Sequence, residues 1–459
     1  MDRNTQSRCR QTRSCIQRRA RRTDAVEYFN ILTSPRLLET TEAYLPAHRE
    51  RLYPPTVTLS LFMRQALEED ASCQKAVNGW AAQRAADGLR PMSVRTGAYC
   101  RARRRLPLTM VRELARETAR QLHEQAKPAW KWRGRSVKLV DGTGISMPDT
   151  PSNQSRFPQP GSQAEGVGFP LAYLVAVISL ASGAVLEAAV SPYKGHDSGE
   201  LAAFRALQDT FCAGDVIIAD ALYNHYFLVA AMMAAGVDVV MPQHGSRNTD
   251  FQRGKSLGTH DHLVSWKKPP SCPAWMTREQ YRAFPKELTV RESRLNHRVL
   301  VTTFTDARKT RKQDLSQLYA QRWNVELDLR NIKTTMGMDV LRCQTAQMNE
   351  KQIWVHLLAY NLIRLLMAQA ADHHRLDPRT LSFKHTVQLW TEWLVRGLAA
   401  THDRNLLFRL IAQSRVGNRA GRVEPRMRKR RPKSFPWLKE PRHVARERVR
   451  ESGHAHGLK

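Results

Sequence analysis

Alternation of apolar and polar positions divides the chain into a helical first third, a strand-rich middle and a helical end. Apolar residues recur every three or four positions over 25–38, 57–68, 71–86 and 108–125, which predicts four amphipathic helices. Ser93 to Leu106 follows a Gly-Leu-Arg-Pro turn and is dense in arginine. It suits either the second helix of a DNA-reading helix-turn-helix or a basic surface helix. From about Lys131 the period shortens. An apolar run at 137–141 ends in Asp141, 169–180 and 184–192 form a hairpin around Ser182-Gly183, and 216–220 is a second buried strand ending in Asp220. A helix over 226–235 and a strand over 237–241 complete the order strand, hairpin, strand, helix, strand, which is that of a layered α/β sheet. Prolines at 269, 270, 273 and 285 then interrupt the pattern, and short strand-like runs at 262–266 and 287–292 predict a β-rich insertion. A buried strand at 298–305 follows, then a helix through 319–333 and apolar helices at 352–371 and 386–399. These shifts divide the chain into an arm (1–23), a helical region (24–130), a core in two parts (131–243 and 298–372) around the insertion (244–297), and C-terminal helices with a tail (373–459).

A length of 459 residues suggests two to four domains, and 42% hydrophobic residues is enough for a substantial core. Charge changes the picture more. The net charge is +31, too basic for an ordinary metabolic enzyme, and it points to a polyanionic partner. Arginines at 3, 8, 10, 13, 18, 19, 21 and 22 form a basic arm, and Arg426, Arg428, Lys429, Arg430, Arg431 and Lys433 form a second block. Such runs are either solvated tails or nucleic-acid contacts, and the excess over the whole chain favours the latter. The arginine-rich start has no sustained amphipathic pattern of a transit peptide. The seven cysteines are scattered and contain no Cys-x-x-Cys pair, which argues against a disulfide framework or a zinc site and fits a reducing cytosol. No signal-peptide core is visible, and the apolar stretch 171–190 holds Ser182-Gly183 and Glu187, so it reads as two strands and not as a membrane span.

The chemistry concentrates in two places. At about 100° per residue, Tyr319, Arg322, Glu326, Arg330 and Lys333 fall within an arc of roughly 80°, beside an apolar stripe of Leu318, Val325, Leu329, Ile332 and Met336. One carboxylate is thus ringed by cations and a phenol. This is either a solvated face laced with i,i+4 salt bridges or a face on which Glu326 holds a divalent cation while Arg322 and Lys333 hold phosphate oxygens. The second place is the pair of strand ends. Functional groups collect at strand ends in open α/β sheets, so Asp141 and Asp220 would project from neighbouring strands with Glu326 packed across that edge. Three carboxylates around two divalent cations can carry out phosphoryl transfer, and all-oxygen ligands favour Mg2+. A single Asp after a strand is more often a turn cap, and Asp149 and Asp197 are read that way.

With these residues the chain resembles the DDE transposases of bacterial insertion sequences, in the insertion-sequence-four family. Tyr319, Arg322, Glu326 and Lys333 match that family's Tyr-(two)-Arg-(three)-Glu-(six)-Lys signature without a gap. Val-Asp141-Gly-Thr and Ile-Ala-Asp220 look like its two Asp motifs, and the likeness extends over roughly 40–450, including 254–258, 261–269 and 415–419. The resemblance implies an α/β fold: a ribonuclease-H-like catalytic core with a β-rich insertion, preceded by an α-helical DNA-binding region and followed by helices and a basic tail. It implies Asp141, Asp220 and Glu326 as catalytic metal ligands for two Mg2+ ions, with Mn2+ as a substitute. Tyr319, Arg322, Arg330 and Lys333 would be DNA contacts. It implies a cytoplasmic, nucleoid-associated bacterial enzyme that cuts the terminal inverted repeats of its element and joins the 3′-OH ends to target DNA, as a homodimer in the synaptic complex. Some relatives cut through a hairpin and stack a flipped base on an aromatic residue. Trp266 is the matching position, with Trp323 beside the site; Trp266 could equally be a packed strand-edge residue. Ala221-Leu-Tyr223 lacks the basic residue many relatives carry after the second Asp, so no DNA contact is assigned there. A silent DNA-binding protein derived from a transposase, and a resolvase or ribonuclease on the same fold, are the competing readings; the complete signature argues against the first, the end-binding helices and chain length against the second.

Overall fold

The computed structural model describes residues 43–45, 52–395 (apart from 163, 165, 196, 296 and 297), 404–416 and 440–453. The helix expected at 25–38, the N-terminal arm and the basic block at 426–433 lie outside the described residues.

Among the described residues, four helices precede the sheet: α1 (Pro55–Leu67), α2 (Cys73–Ala86), α3 (Gly97–Arg105) and α4 (Leu108–Glu124). Pro55 stands in the first turn of α1, where its missing N–H costs nothing. Ser72 caps α2 by accepting from the Lys75 N–H. The stripe Met110, Val111, Leu114, Ala115, Leu122 buries one face of α4. On α3, Arg101, Arg104 and Arg105 face solvent while Arg103 turns inward. Its guanidinium lies 3.8 Å from the centre of the Phe62 ring and donates to Cys73 Sγ at 2.8 Å. The link from α2 to α3 runs from Asp87 to Thr96, far longer than the three or four residues of a helix-turn-helix turn. The arginine-dense segment is therefore a basic helix tethered by one buried arginine, not the second half of that tight motif.

The core is a mixed nine-stranded sheet in the order β3-β2-β1-β4-β5-β9-β8-β7-β6. Its first part comprises β1 (Val137–Ser146), β2 (Leu171–Ser179), β3 (Val185–Pro192), β4 (Val216–Ile218) and β5 (Asp238–Pro242). The hairpin falls where expected, β2 antiparallel to β3 around the turn at Gly183. The helices α5 (Pro151–Arg156), α6 (Glu200–Arg205) and α7 (Tyr226–Ala234) lie between these strands in sequence. The insertion supplies β6 (Lys255–Gly258), β7 (Asp261–Lys267), α8 (Arg278–Ala283) and β8 (Glu287–Leu295). It is β-rich, and it extends the core sheet: β8 pairs with β9 (Arg298–Thr302), which pairs with β5. Gly254 sits at φ +78°, and a Cβ there would meet the Leu263 carbonyl oxygen at 2.0 Å, so only glycine fits the start of this hairpin. Asp261 receives Nε and Nη2 of buried Arg291 at 2.7 and 2.6 Å, which accounts structurally for one of the motif residues in the insertion.

Alternation along each strand sends side chains into two cores. Leu139 and Ile218 join a layer built with Val325, Leu329, Ile353 and Leu357, whereas Val140, Ile217 and Ala219 join Ala203, Phe204, Leu228 and Val229 on the opposite face. The first layer is centred on α11 (Ala346–His373) and completed by α12 (Phe383–Val395) and α13 (Arg404–Gln413); α14 (Arg442–Ser452) follows. Among the described helices α11 alone is long and apolar enough to cross a membrane, and 94% of its apolar window is buried inside the fold, as befits a core helix.

Two histidines, buried His356 and half-buried His225, are expected to make the fold acid-sensitive. Burial holds His356 down to about 4, and its Nδ1–H donates to the Gln352 carbonyl at 2.8 Å. Burial likewise holds His225 down to about 4, where its ring nitrogen accepts from the Leu228 N–H and caps α7. Both folded values lie below the unfolded value of about 6.5, so the stability they contribute is full above that pH and is lost as pH falls toward 4. The melting temperature is expected to drop over this window. His225→Asn, which keeps a capping acceptor but does not titrate, is expected to reduce the drop. An identical drop in the variant would show that His225 does not contribute to it.

Candidate active site

β1 and β4 run parallel with Val137 beside Val216, Lys138 beside Ile217 and Leu139 beside Ile218. Asp141 and Asp220 each stand two residues beyond the last of these pairs, on the face that Leu139 and Ile218 bury against the helical layer. The strand does not end at Asp141, as the apolar run suggested: β1 continues to Ser146, paired with β2, and only its pairing with β4 stops. That parting opens the sheet beside Asp141. Its Oδ1 accepts from the Gly142 N–H at 2.9 Å. Asp220 Oδ1 accepts from the Leu222 N–H at 2.8 Å and caps the 3-10 turn that follows.

The signature segment is not the single helix its spacing suggested. It divides into α9 (Lys312–Ala320), α10 (Trp323–Arg330) and one π-helical turn, Asn331–Thr335. At the junction the N–H groups of Arg322, Asn324 and Val325 bond three residues back, at 2.9, 3.0 and 3.0 Å. This tight turn needs no glycine or proline, so nothing in the residue types marks it. The expected stripe of Leu318, Val325, Leu329, Ile332 and Met336 is buried throughout. Asp328 anchors α10 from below: it is buried, ion-paired with Arg364 of α11, and 2.9 Å from Arg379.

Arg322 joins the two halves of the site. Its guanidinium pairs with Glu326 one turn on and lies 3.6 Å from Asp141 Oδ2. Burial raises Asp141 to about 6, against the Gly142 N–H and Arg322, and with Asp220 and Glu326 adding to the rise. The carboxylates therefore feel one another across the gap. Tyr319 is half-buried and raised, first by burial, with the nearby Arg322 charge opposing the rise. Arg330 is exposed and Lys333 half-buried on the π turn. Trp323, 53% exposed, stands beside Arg322. Trp266 differs from the expectation of a base-stacking ring: it is 4% exposed, one face lies under Arg247 at 3.8 Å, and its indole N–H donates to Glu292 at 2.9 Å. In this structure the ring is closed to a base. Alternation along β7 could not reveal this, because Arg247 and Glu292 arrive from other segments. A fourth carboxylate, Glu200 at the start of α6, carries no sequence signal that marks it; it lies against Gly142 and is raised to about 7 by burial, Asp141 and Asp220.

The donors here are carboxylate oxygens, which suit a hard cation such as Mg2+ or Mn2+. Among the described residues no three His, Cys, Asp or Glu side chains converge closely enough to form a metal site as they stand. The positive charge between Asp141 and Glu326 is the guanidinium of Arg322. Oxygen-only donors and mutual electrostatic coupling fit a divalent cation, provided that Arg322 gives way.

A transposase DDE domain family matches residues 132–362, which is half of the chain and spans both strand-borne Asp residues and the Glu326 helix. The chain belongs to the DDE transposases. It is 28% identical, over 404 residues covering 84% of this chain and 88% of the relative, to the transposase InsG of insertion sequence element IS4 from Escherichia coli K12. The piggyBac transposase of a synaptic complex with hairpin DNA, determined by cryo-EM, aligns over 89% of this chain and 88% of its own with 10% identity and a TM-score of 0.42.

Two substitutions test this geometry without DNA. Arg322→Gln removes the cation shared by Asp141 and Glu326. It is expected to lower the metal-free melting temperature, by about 1–3 kcal/mol of stability. Added Mg2+ or Mn2+ is then expected to raise the variant's melting temperature more than the wild type's, because no guanidinium competes. Equal responses would show that Arg322 is not at the cation position. Asp328→Ala leaves two buried guanidinium groups unpaired and is expected to cost about 3–5 kcal/mol in denaturant unfolding.

Proposed function

We propose that this chain is a cut-and-paste transposase: it binds the terminal inverted repeats of its insertion sequence, hydrolyses the ends, and joins the freed 3′-OH groups to target DNA. The observation that carries this reading is the β1–β4 register, which brings Asp141 and Asp220 side by side next to the Glu326 helix in a chain of the DDE family. In this reading Asp141, Asp220 and Glu326 hold the divalent cations, within a core of ribonuclease-H type. Bound Mg2+ or Mn2+ would activate the attacking oxygen and stabilise the leaving one. Arg322 and Lys333 meet phosphate oxygens at the scissile end, Arg322 as a planar fork and Lys333 as a point charge. Tyr319 orients Arg322, whose charge already acts on it. Arg330 and Trp323 are exposed, where DNA can reach them. Two copies of the chain act together on paired ends. The high net charge supports DNA as the partner, and the basic arm and tail supply phosphate contacts.

Duplexes carrying the element's own ends, incubated with the protein and Mg2+, test the proposal by scoring 3′-OH nicks and joined products. Asp141→Asn, Asp220→Asn and Glu326→Gln are each expected to reduce cleavage by roughly a hundredfold or more, since each removes several kcal/mol of charge stabilisation. End binding is expected to stay close to wild type. The logarithm of the binding constant should fall with the logarithm of salt concentration by about 0.9 per phosphate contacted, and deleting 1–22 should flatten that slope. Binding without nicking by the wild-type protein would favour a silent derivative instead, and cleavage at wild-type rate by any of the three variants would remove that carboxylate from the site.

A further inference from the structure

Asp141 and Gly142 point to opposite faces of β1. Asp141 faces the layer that carries Glu326, and position 142 faces the layer that carries α6. On that side the space is taken. A Cβ at position 142 would lie 1.9 Å from Glu200 Oε1 and 2.6 Å from its Cδ and Cγ. Gly142 has no left-handed backbone that would require glycine, so room for this side chain is what the residue provides. α6 is held in place by Ala203 and Phe204, buried in the second core. Glu200 is its first residue, entered through Gly199 at φ +88°.

Glu200 is half-buried, and Asp141 and Asp220 are its charged neighbours. Among the described residues no Lys, Arg or His pairs with it, and none donates it a hydrogen bond. A half-buried carboxylate beside like charges and without a partner is costly to hold. A hard divalent cation is the ligand chemistry that offsets this cost, and it is the one already proposed for the adjoining carboxylates. We propose that Glu200 is a fourth acidic ligand of the divalent-cation site around Asp141, Asp220 and Glu326, and that it reaches the site through the gap left by Gly142. This rests on the DDE reading above. It adds a carboxylate from the opposite face of the sheet, contributed by an element between the two Asp strands.

The test is Mn2+ binding by the full chain without DNA, followed by electron paramagnetic resonance of the free ion, for wild type, Asp141→Asn, Glu200→Gln, Gly142→Ala and the double variant Glu200→Gln/Gly142→Ala. Glu200→Gln is expected to weaken Mn2+ binding by roughly tenfold, while the metal-free melting temperature stays level or rises as repulsion is relieved. Gly142→Ala keeps Glu200 but displaces its carboxylate, so it is expected to weaken binding similarly. It carries the same test should the Gln variant fold poorly. The double variant is expected to bind no more weakly than either single one, because both changes remove the same ligand. If Asp141→Asn loses binding while Glu200→Gln binds as wild type and melts lower, Glu200 is only a favourable charge at a helix start, and the proposal is overturned with the DDE site intact. If Asp141→Asn also binds Mn2+ as wild type, both readings fall.

Discussion

Carboxylates brought together in a half-buried place repel one another, and the architecture around Asp141 is a device for holding them there. The parallel register of β1 with β4 is the primary constraint. It sets Asp141 and Asp220 the same distance past the last shared pair, so neither can be moved without unpairing a buried strand. The cost shows in Asp141, which burial lifts to about 6 despite the nearby Arg322. A rigid sheet with apolar cores on both faces can sustain such strain where a loop could not.

The helical layer opposes the repulsion at two depths. Near the surface Arg322 joins Glu326 to Asp141, so a single guanidinium couples the signature helix to the strand. Deeper, Asp328 ties α10 to Arg364 and Arg379, fixing the helix on α11 where it cannot slide. Between the two lies the junction of α9 and α10, whose tightened turn places Arg322 at the entrance. The π turn that carries Lys333 closes the same segment, and such turns often accompany functional sites. Tyr319, Glu326 and Lys333 therefore sit on three short helical pieces, with Arg322 on the turn between the first two, not on one uniform cylinder.

Much of this was legible in the chain. The β2–β3 hairpin, the buried run at β4 and the apolar stripe from Leu318 to Met336 follow from periodicity, because burial on one or two faces imposes it. Asp141 and Asp220 were identifiable as a pair because each closes an apolar run. What the chain concealed is tertiary. Trp266 sits in a strand-like run that suits a ring at an edge, yet Arg247 and Glu292 enclose it from distant segments. The turn at Gln321–Arg322 has no punctuating residue. Glu200 stands nearly sixty residues from its glycine partner, and only the packing of α6 across β1 makes the meaning of Gly142 visible. Local runs mark the insertion as β-rich, but its continuity with the core sheet depends on pairing between β8 and β9, which no local pattern specifies.

The shared hold of Asp141 and Asp220 on a divalent cation, proposed above, can be tested directly. Crystals of the protein grown or soaked with Mn2+, and measured at the manganese absorption edge, locate the ion independently of any activity. The expected result is an anomalous peak within about 2.0–2.6 Å of carboxylate oxygens from both Asp141 and Asp220, with the Arg322 guanidinium withdrawn from Asp141. A Mn2+ peak elsewhere on the protein, with Arg322 still seated on Asp141 and Glu326, would contradict it.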